Sequence, residues 1–138
     1  MMRVLLADDQ AWLRSAVRLL LEQEPGVEII GEAAEVRGLL VKAKASRPHL
    51  VLLDWELPGD PHAGAGRRIV RALHDICPYI RVIVLSGRPE AGHSAIAAGA
   101  DYFVRAFSEA GLSAPLGPPE VLLAALRKVK AAAVLDDA

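Results

Sequence analysis

The chain has 138 residues, enough for one domain with a real core and no covalent staples. Hydrophobic residues make up 53% and charged residues 24%, which excludes a disordered or fibrous chain. The net charge is −1 with no basic block, which argues against nucleic-acid binding by this segment, and the single cysteine, Cys77, excludes an internal disulfide or a cysteine-based zinc site.

Short apolar runs alternate with helical patterns along the chain. Val4-Leu5-Leu6-Ala7 reads as a strand buried on both faces. Trp12, Ala16, Leu19, Leu20 and Gln23 then recur at helical spacing within Ala11–Glu24, and Pro25-Gly26 stops that helix. Val27–Ile30 is the second strand; Val36, Leu39, Leu40 and Ala43 mark a second helix ending before Pro48. Leu50–Leu53 is the third strand, and Gly59–Gly66 reads as a loop. Ile69, Val70, Leu73 and Ile76 give helix three, Val82–Leu85 strand four, Glu90–Ala98 a short helix four and Tyr102–Val104 strand five. Phe107–Gly117 is irregular, and Pro118-Pro119-Glu120 opens helix five, which continues through Val121, Leu122, Ala125, Leu126 and Val129. Five β-then-α units predict an α/β fold with a parallel sheet and helices on both faces. No apolar run approaches the roughly 20 residues of a membrane span, and Asp8 makes the N-terminus acidic too early for a signal peptide. A soluble, cytoplasmic protein without membrane contact is expected. Threonine and asparagine are absent and arginine outnumbers lysine twelve to four, a bias that does not separate genome composition from heat adaptation.

In such sheets ligands sit beyond the carboxyl ends of the strands. Asp8 and Asp9 follow strand one, Asp54 ends strand three, Ser86-Gly87-Arg88 ends strand four and Arg105-Ala106 ends strand five. If strands one, three and four are neighbours, three carboxylates and a hydroxyl converge on one crevice. Crowded carboxylates call for a cation, and hard oxygen ligands suit Mg²⁺. A carboxylate beside such a metal is able to attack a phosphoryl group, because the metal offsets the charge of both partners. Taken singly, each acid reads equally as a helix cap or a loop charge.

At these residues the sequence resembles the receiver domains of two-component response regulators, the CheY-like family. Val4-Leu5-Leu6-Ala7-Asp8-Asp9-Gln10 is similar to the family's opening acidic pair, and Leu52-Leu53-Asp54-Trp55-Glu56-Leu57-Pro58-Gly59 to its phosphorylation-site segment. Val84-Leu85-Ser86-Gly87 resembles its hydroxyl-bearing switch segment, and Ala98-Gly99-Ala100-Asp101 the turn before strand five. The opening stretch and Glu24-Pro25-Gly26-Val27-Glu28-Ile29-Ile30-Gly31-Glu32-Ala33 look most like the NarL-type subgroup, whose members usually carry a C-terminal helix-turn-helix output domain. The resemblance implies a doubly wound, flavodoxin-like (βα)5 fold with strand order 2-1-3-4-5, a receiver domain over residues 1–130, and a tail or linker start over 131–138. It implies that Asp54 accepts a phosphoryl group from a sensor histidine kinase or phosphotransfer protein, and that Asp8, Asp9, Asp54 and the Glu56 backbone carbonyl hold Mg²⁺. Ser86 would hydrogen-bond the phosphoryl oxygen, and Phe103 would be the aromatic switch that repacks when Ser86 moves. Such a domain is no independent enzyme; it catalyses only its own phosphoryl transfer. The family docks partners and dimerises through the helix four, strand five and helix five face.

The family places a lysine three residues past the switch aromatic, where this chain has Ala106. The four lysines, Lys42, Lys44, Lys128 and Lys130, fall on helices two and five. Losing that lysine removes one electrostatic stabiliser of the transition state. It also favours an alternative reading, a phosphorylation-independent interaction or dimerisation module. Arg105 is adjacent, but strand alternation points it to the other face from position 106. Arg88 lies two residues past Ser86 and Glu56 two past Asp54, so an ion pair across the mouth of the crevice is expected, as a phosphate or gating contact. Exposed, such a pair contributes under about 1 kcal/mol to stability. The loops Gly59–Gly66 and Phe107–Gly117 look longer than the family's. His49, His62, His74 and His93 share no metal-ligand spacing and read as surface or loop residues, and Cys77 as a small apolar filler. Trp12 is expected to pack over helix one, and Trp55 to serve in the core or as a lid over the crevice.

Overall fold

In the computed structural model residues 1–60, 65–105 and 119–137 are described. They form five strands, β1 (Met2–Ala7), β2 (Val27–Ala33), β3 (Leu50–Asp54), β4 (Arg81–Ser86) and β5 (Tyr102–Arg105). These alternate with α1 (Ala11–Glu22), α2 (Val36–Ser46), α3 (Ala65–Ile76), α4 (Ala91–Ala97) and α5 (Pro119–Asp137). The strands make one parallel sheet in the order β2-β1-β3-β4-β5. The expected α/β architecture and strand order are therefore present, with β3 at the centre of the sheet.

Strand alternation divides the core in two. Val4, Leu6, Leu50, Leu52, Ile83, Leu85 and Val104 face one way, against Leu13, Val17 and Leu21 of α1 and Leu122, Leu126 and Val129 of α5. Leu5, Val51, Leu53, Val82 and Val84 face the other way, against Leu39 of α2, Ile69, Val70 and Leu73 of α3 and Ala95 of α4. Both faces of the inner strands are covered, which is why those strands read as unbroken apolar runs.

Three expectations need correction. The stripe assigned to α1 was Trp12, Ala16, Leu19, Leu20 and Gln23, but Trp12 is 47% and Leu19 64% exposed, and the buried side is Leu13, Val17 and Leu21. Leucine and alanine surround this helix, so two overlapping apolar stripes compete in the sequence and only packing against the sheet chooses. The loop expected over Gly59–Gly66 is shorter, because Ala65 and Gly66 already belong to α3. Finally, α5 runs past Val129 to Asp137, as the alanine run at 131–133 favours. His62, Ala106 and the segment 107–117 lie outside the described residues.

Candidate functional site

The carboxyl ends of β1, β3 and β4 are adjacent in the sheet, so the residues that follow them meet at one edge. A register shift between Val4 and Leu5 in the β1–β2 pairing brings the Ala33 carbonyl to the Asp8 N–H, at 3.0 Å. Asp8 is buried, only 6% exposed. Its Oδ1 accepts the Gln10 backbone N–H at 2.8 Å, and its carbonyl accepts the Arg14 guanidinium from the first turns of α1. Burial pushes the Asp8 carboxyl above its ordinary value; the Gln10 N–H opposes this and the Asp9 charge adds to it. Asp9 is exposed, and Asp54 is half-buried at the last position of β3.

Asp54 Oδ1 accepts the Glu56 N–H at 3.0 Å, and the Asp54 carbonyl accepts the Leu57 N–H at 3.1 Å, so the chain turns sharply beside the carboxylate. The Trp55 N–H reaches across to the Leu85 carbonyl at 3.0 Å, which ties this turn to β4. Burial first, then the nearby Asp8 charge, pushes the Asp54 carboxyl up to about 8. Carboxylate oxygens of Asp8, Asp9 and Asp54 all lie within 4.8 Å of one another. Three acids so close, one buried and one half-buried, repel unless a cation sits among them. An all-oxygen donor set of this kind fits a hard divalent ion.

At the other side of the crevice Ser86, 2% exposed, ends β4. Its hydroxyl donates to Glu56 Oε1 at 2.9 Å, with Oε2 at 3.3 Å, and accepts the Arg88 N–H at 3.1 Å. The Arg88 Nε donates to Glu56 Oε1 at 2.8 Å. The expected Glu56–Arg88 ion pair is therefore present, and Glu56 does more than span the mouth, because its carboxylate also takes the Ser86 hydroxyl. The order of residues gave no sign of that second bond, since it depends on the rotamer of one side chain.

The remaining candidates sit further out. Phe103 is half-buried on β5, on the same sheet face as Val84, and lies against Gly92 of α4, where a Cβ would meet its ring at 2.9 Å. Trp55 packs on Gly66 of α3, where an added Cβ would come within 2.6 Å of the indole, so it belongs to the core and not to a lid. Arg105 is exposed and stands opposite Ser86 in the β4–β5 register. His49 Nδ1 accepts the Arg3 N–H at 2.9 Å, a tie between β1 and the entry to β3. Cys77 is half-buried against the second core half, as a small filler would be. Arg14 is the site neighbour that the sequence reading passed over; its place five residues after Asp9, on the opening turns of α1, was the available signal.

Residues 4–111 match the model of the response regulator receiver domain family. The chain belongs to that family. Among its relatives is the DNA-binding transcriptional activator DevR/DosR of Mycobacterium tuberculosis, 30% identical over 149 residues that cover 99% of this chain and 67% of the relative. A protein-glutamate methylesterase/protein-glutamine glutaminase of Syntrophomonas wolfei is 33% identical over 86 residues, 62% of this chain and 24% of that protein. This receiver thus spans about a quarter of the length of that methylesterase. Among solved structures, the signal receiver domain of the response regulator NarL from Mycobacterium tuberculosis superposes with a TM-score of 0.65 at 29% identity, covering 74% of this chain and 81% of that one. The receiver fold and the likeness to NarL-type regulators agree with the sequence reading. Among the described residues no helix is long and apolar enough to cross a membrane.

Proposed function

We propose that this receiver is phosphorylated on Asp54 by a phosphohistidine of a sensor histidine kinase or phosphotransfer protein, in a Mg²⁺-dependent reaction. The observation that carries this reading is the meeting of Asp8, Asp9 and Asp54 within 4.8 Å at one sheet edge. Asp8, Asp9, Asp54 and the Glu56 carbonyl would hold the ion, which when bound offsets the negative charge of acceptor and phosphoryl group alike. One Asp54 carboxylate oxygen forms the bond to phosphorus while the P–N bond of the donor breaks, and the imidazole nitrogen leaves with the electron pair. The Asp54 carboxylate is aimed for this by the Glu56 N–H on its Oδ1. The Ser86 hydroxyl would donate to a phosphoryl oxygen. Its displacement would free Phe103 to repack against α4, carrying the change to the α4–β5–α5 face, where a homodimer would form.

On this reading residues 1–130 are the receiver and 131–138 the start of a linker. The chain works in the cytoplasm, binds no nucleic acid itself, and regulates transcription through an output domain outside this sequence. The test is intact-mass spectrometry of the chain after incubation with Mg²⁺ and phosphoramidate. One added phosphoryl group, mapped to Asp54 and absent from Asp54→Asn, is the expected result. An unmodified wild type would overturn it and leave a phosphorylation-independent interaction module.

A further inference from the structure

A serine hydroxyl carries one proton, and it can serve one acceptor well. In Ser86 that proton points at Glu56, 2.9 Å from Oε1. The same oxygen takes the Arg88 Nε at 2.8 Å, and the Arg88 backbone N–H closes the ring by donating to Ser86 Oγ at 3.1 Å. Glu56 is therefore an anion held by one hydroxyl and one guanidinium at the mouth of the acidic crevice. Those are the two donor types that a phosphoryl oxygen on Asp54 would need. The Glu56 backbone is itself fixed to the acceptor through its N–H on Asp54 Oδ1, so only its side chain has to rotate for the donors to come free. The pair lies largely in water, with Arg88 60% and Glu56 41% exposed in their side chains, so opening it costs little. All four lysines belong to α2 and α5, so among the described residues the cation bound to the Ser86 end of the crevice is Arg88.

We propose that the Glu56 carboxylate is a built-in stand-in for the phosphoryl group, and that modification of Asp54 exchanges it, passing the Ser86 hydroxyl and the Arg88 guanidinium to the incoming oxygens. Glu56 then acts as an internal competitor and Arg88 as the phosphoryl-binding cation of this receiver. Neither forms a covalent bond: the new bond is between an Asp54 oxygen and phosphorus, and the donor's leaving group departs with its electron pair. The inference rests on Asp54 being the acceptor.

Beryllofluoride with Mg²⁺ is the probe, titrated into the full 138-residue chain and followed by the fluorine NMR signal of the adduct. The variants are Glu56→Gln, Arg88→Ala, both together, and Arg105→Ala as the comparison cation. Glu56→Gln keeps the shape and removes the competing charge, so its adduct is expected to be about tenfold tighter than wild type. Arg88→Ala is expected to weaken the adduct about tenfold, and by a similar factor in the Glu56→Gln background. Arg105→Ala is expected to leave affinity within about twofold. Equal affinities across all variants overturn it and leave the acceptor reading standing. So does an Arg88→Ala effect that vanishes once Glu56 is Gln, since Arg88 would then only pin Glu56, and so does a loss that follows Arg105 instead. No adduct in any variant overturns the acceptor reading itself, and the exchange with it.

Discussion

Asp54 holds a negative group where burial and two neighbouring acids oppose it. With its folded carboxyl pushed up to about 8 from 3.8, the folded protein keeps a proton that the unfolded chain releases. Metal-free stability should therefore fall as pH rises from about 4 to about 8. Asp54→Asn keeps the shape without the charge. In chelator at pH 8 it is expected to raise the unfolding free energy by about 1–3 kcal/mol in urea melts, the half-exposed position limiting the gain. If the three acids hold Mg²⁺ as proposed, an excess of the ion should narrow that gap or reverse it, because the wild type offers one more charged ligand than the variant. A variant less stable than wild type in chelator would mean that the Glu56 N–H bond outweighs the repulsion. At this scale the sequence was most informative. The acids stand out because each directly follows an apolar run, and a parallel sheet brings those ends together whatever the loops do. The Glu56 bond to Ser86 was not legible, because both residues were already accounted for by other roles and only coordinates fix a rotamer.

Between elements, α1 shows where pattern reading fails. Its sequence carries Leu13, Val17 and Leu21 on one line and Trp12, Ala16 and Leu19 on the next, both of them apolar. Packing against the sheet chooses the first line, and the flanking ion pairs agree with that choice. Arg14 Nε pairs with Glu32 Oε1 at 2.7 Å, Arg18 reaches Glu32 Oε2 as well, and Arg18 Nε meets Glu22 at 2.5 Å. Through Glu32 this clasp ties α1 to β2. Leu21→Ala, at a fully buried position, is expected to cost about 2–5 kcal/mol in denaturant unfolding, and Leu19→Ala within about 0.5 kcal/mol of zero. Equal costs would mean that α1 rolls on the sheet. Glu32 gives the clasp its pH dependence. Burial pushes its carboxyl up, but the Arg14 and Arg18 guanidiniums outweigh burial and bring it below the usual range. A depressed acid contributes stability above its unfolded value and loses it as pH falls through the folded one. Glu32→Gln should therefore lower stability at pH 7 by up to about 1 kcal/mol, with the difference from wild type closing as the pH drops below about 4.

The molecule as a whole is one sheet with a half-core on each face, and α5 closes the first of them. Among the described side chains of α5, Leu122, Ala125, Leu126 and Val129 are buried, and Arg127 ties the helix to Glu24 at 2.7 Å. These anchors all precede residue 130, so a chain ending at Lys130 is expected to keep its cooperative transition and lose less than about 1 kcal/mol. A chain cut before Leu122 should lose the transition. If the first truncation also unfolds, the final turns of α5 belong to the domain and its boundary lies further on. The fold class was readable at this scale because periodicity, proline positions and the order of elements all agreed. The length of α5 was not, since alanine carries little pattern.

The central place of β3 gives the site two very different timescales. It is paired to strands on either side and covered above and below, so its amides are expected to exchange with solvent only on global opening. The Glu56–Arg88 pair at the mouth instead ends in largely exposed side chains, which are expected to move within nanoseconds. On the proposed reading the acceptor Asp54 thus stands at the end of the central strand, while the Glu56 and Arg88 side chains beside it are free to rearrange in water.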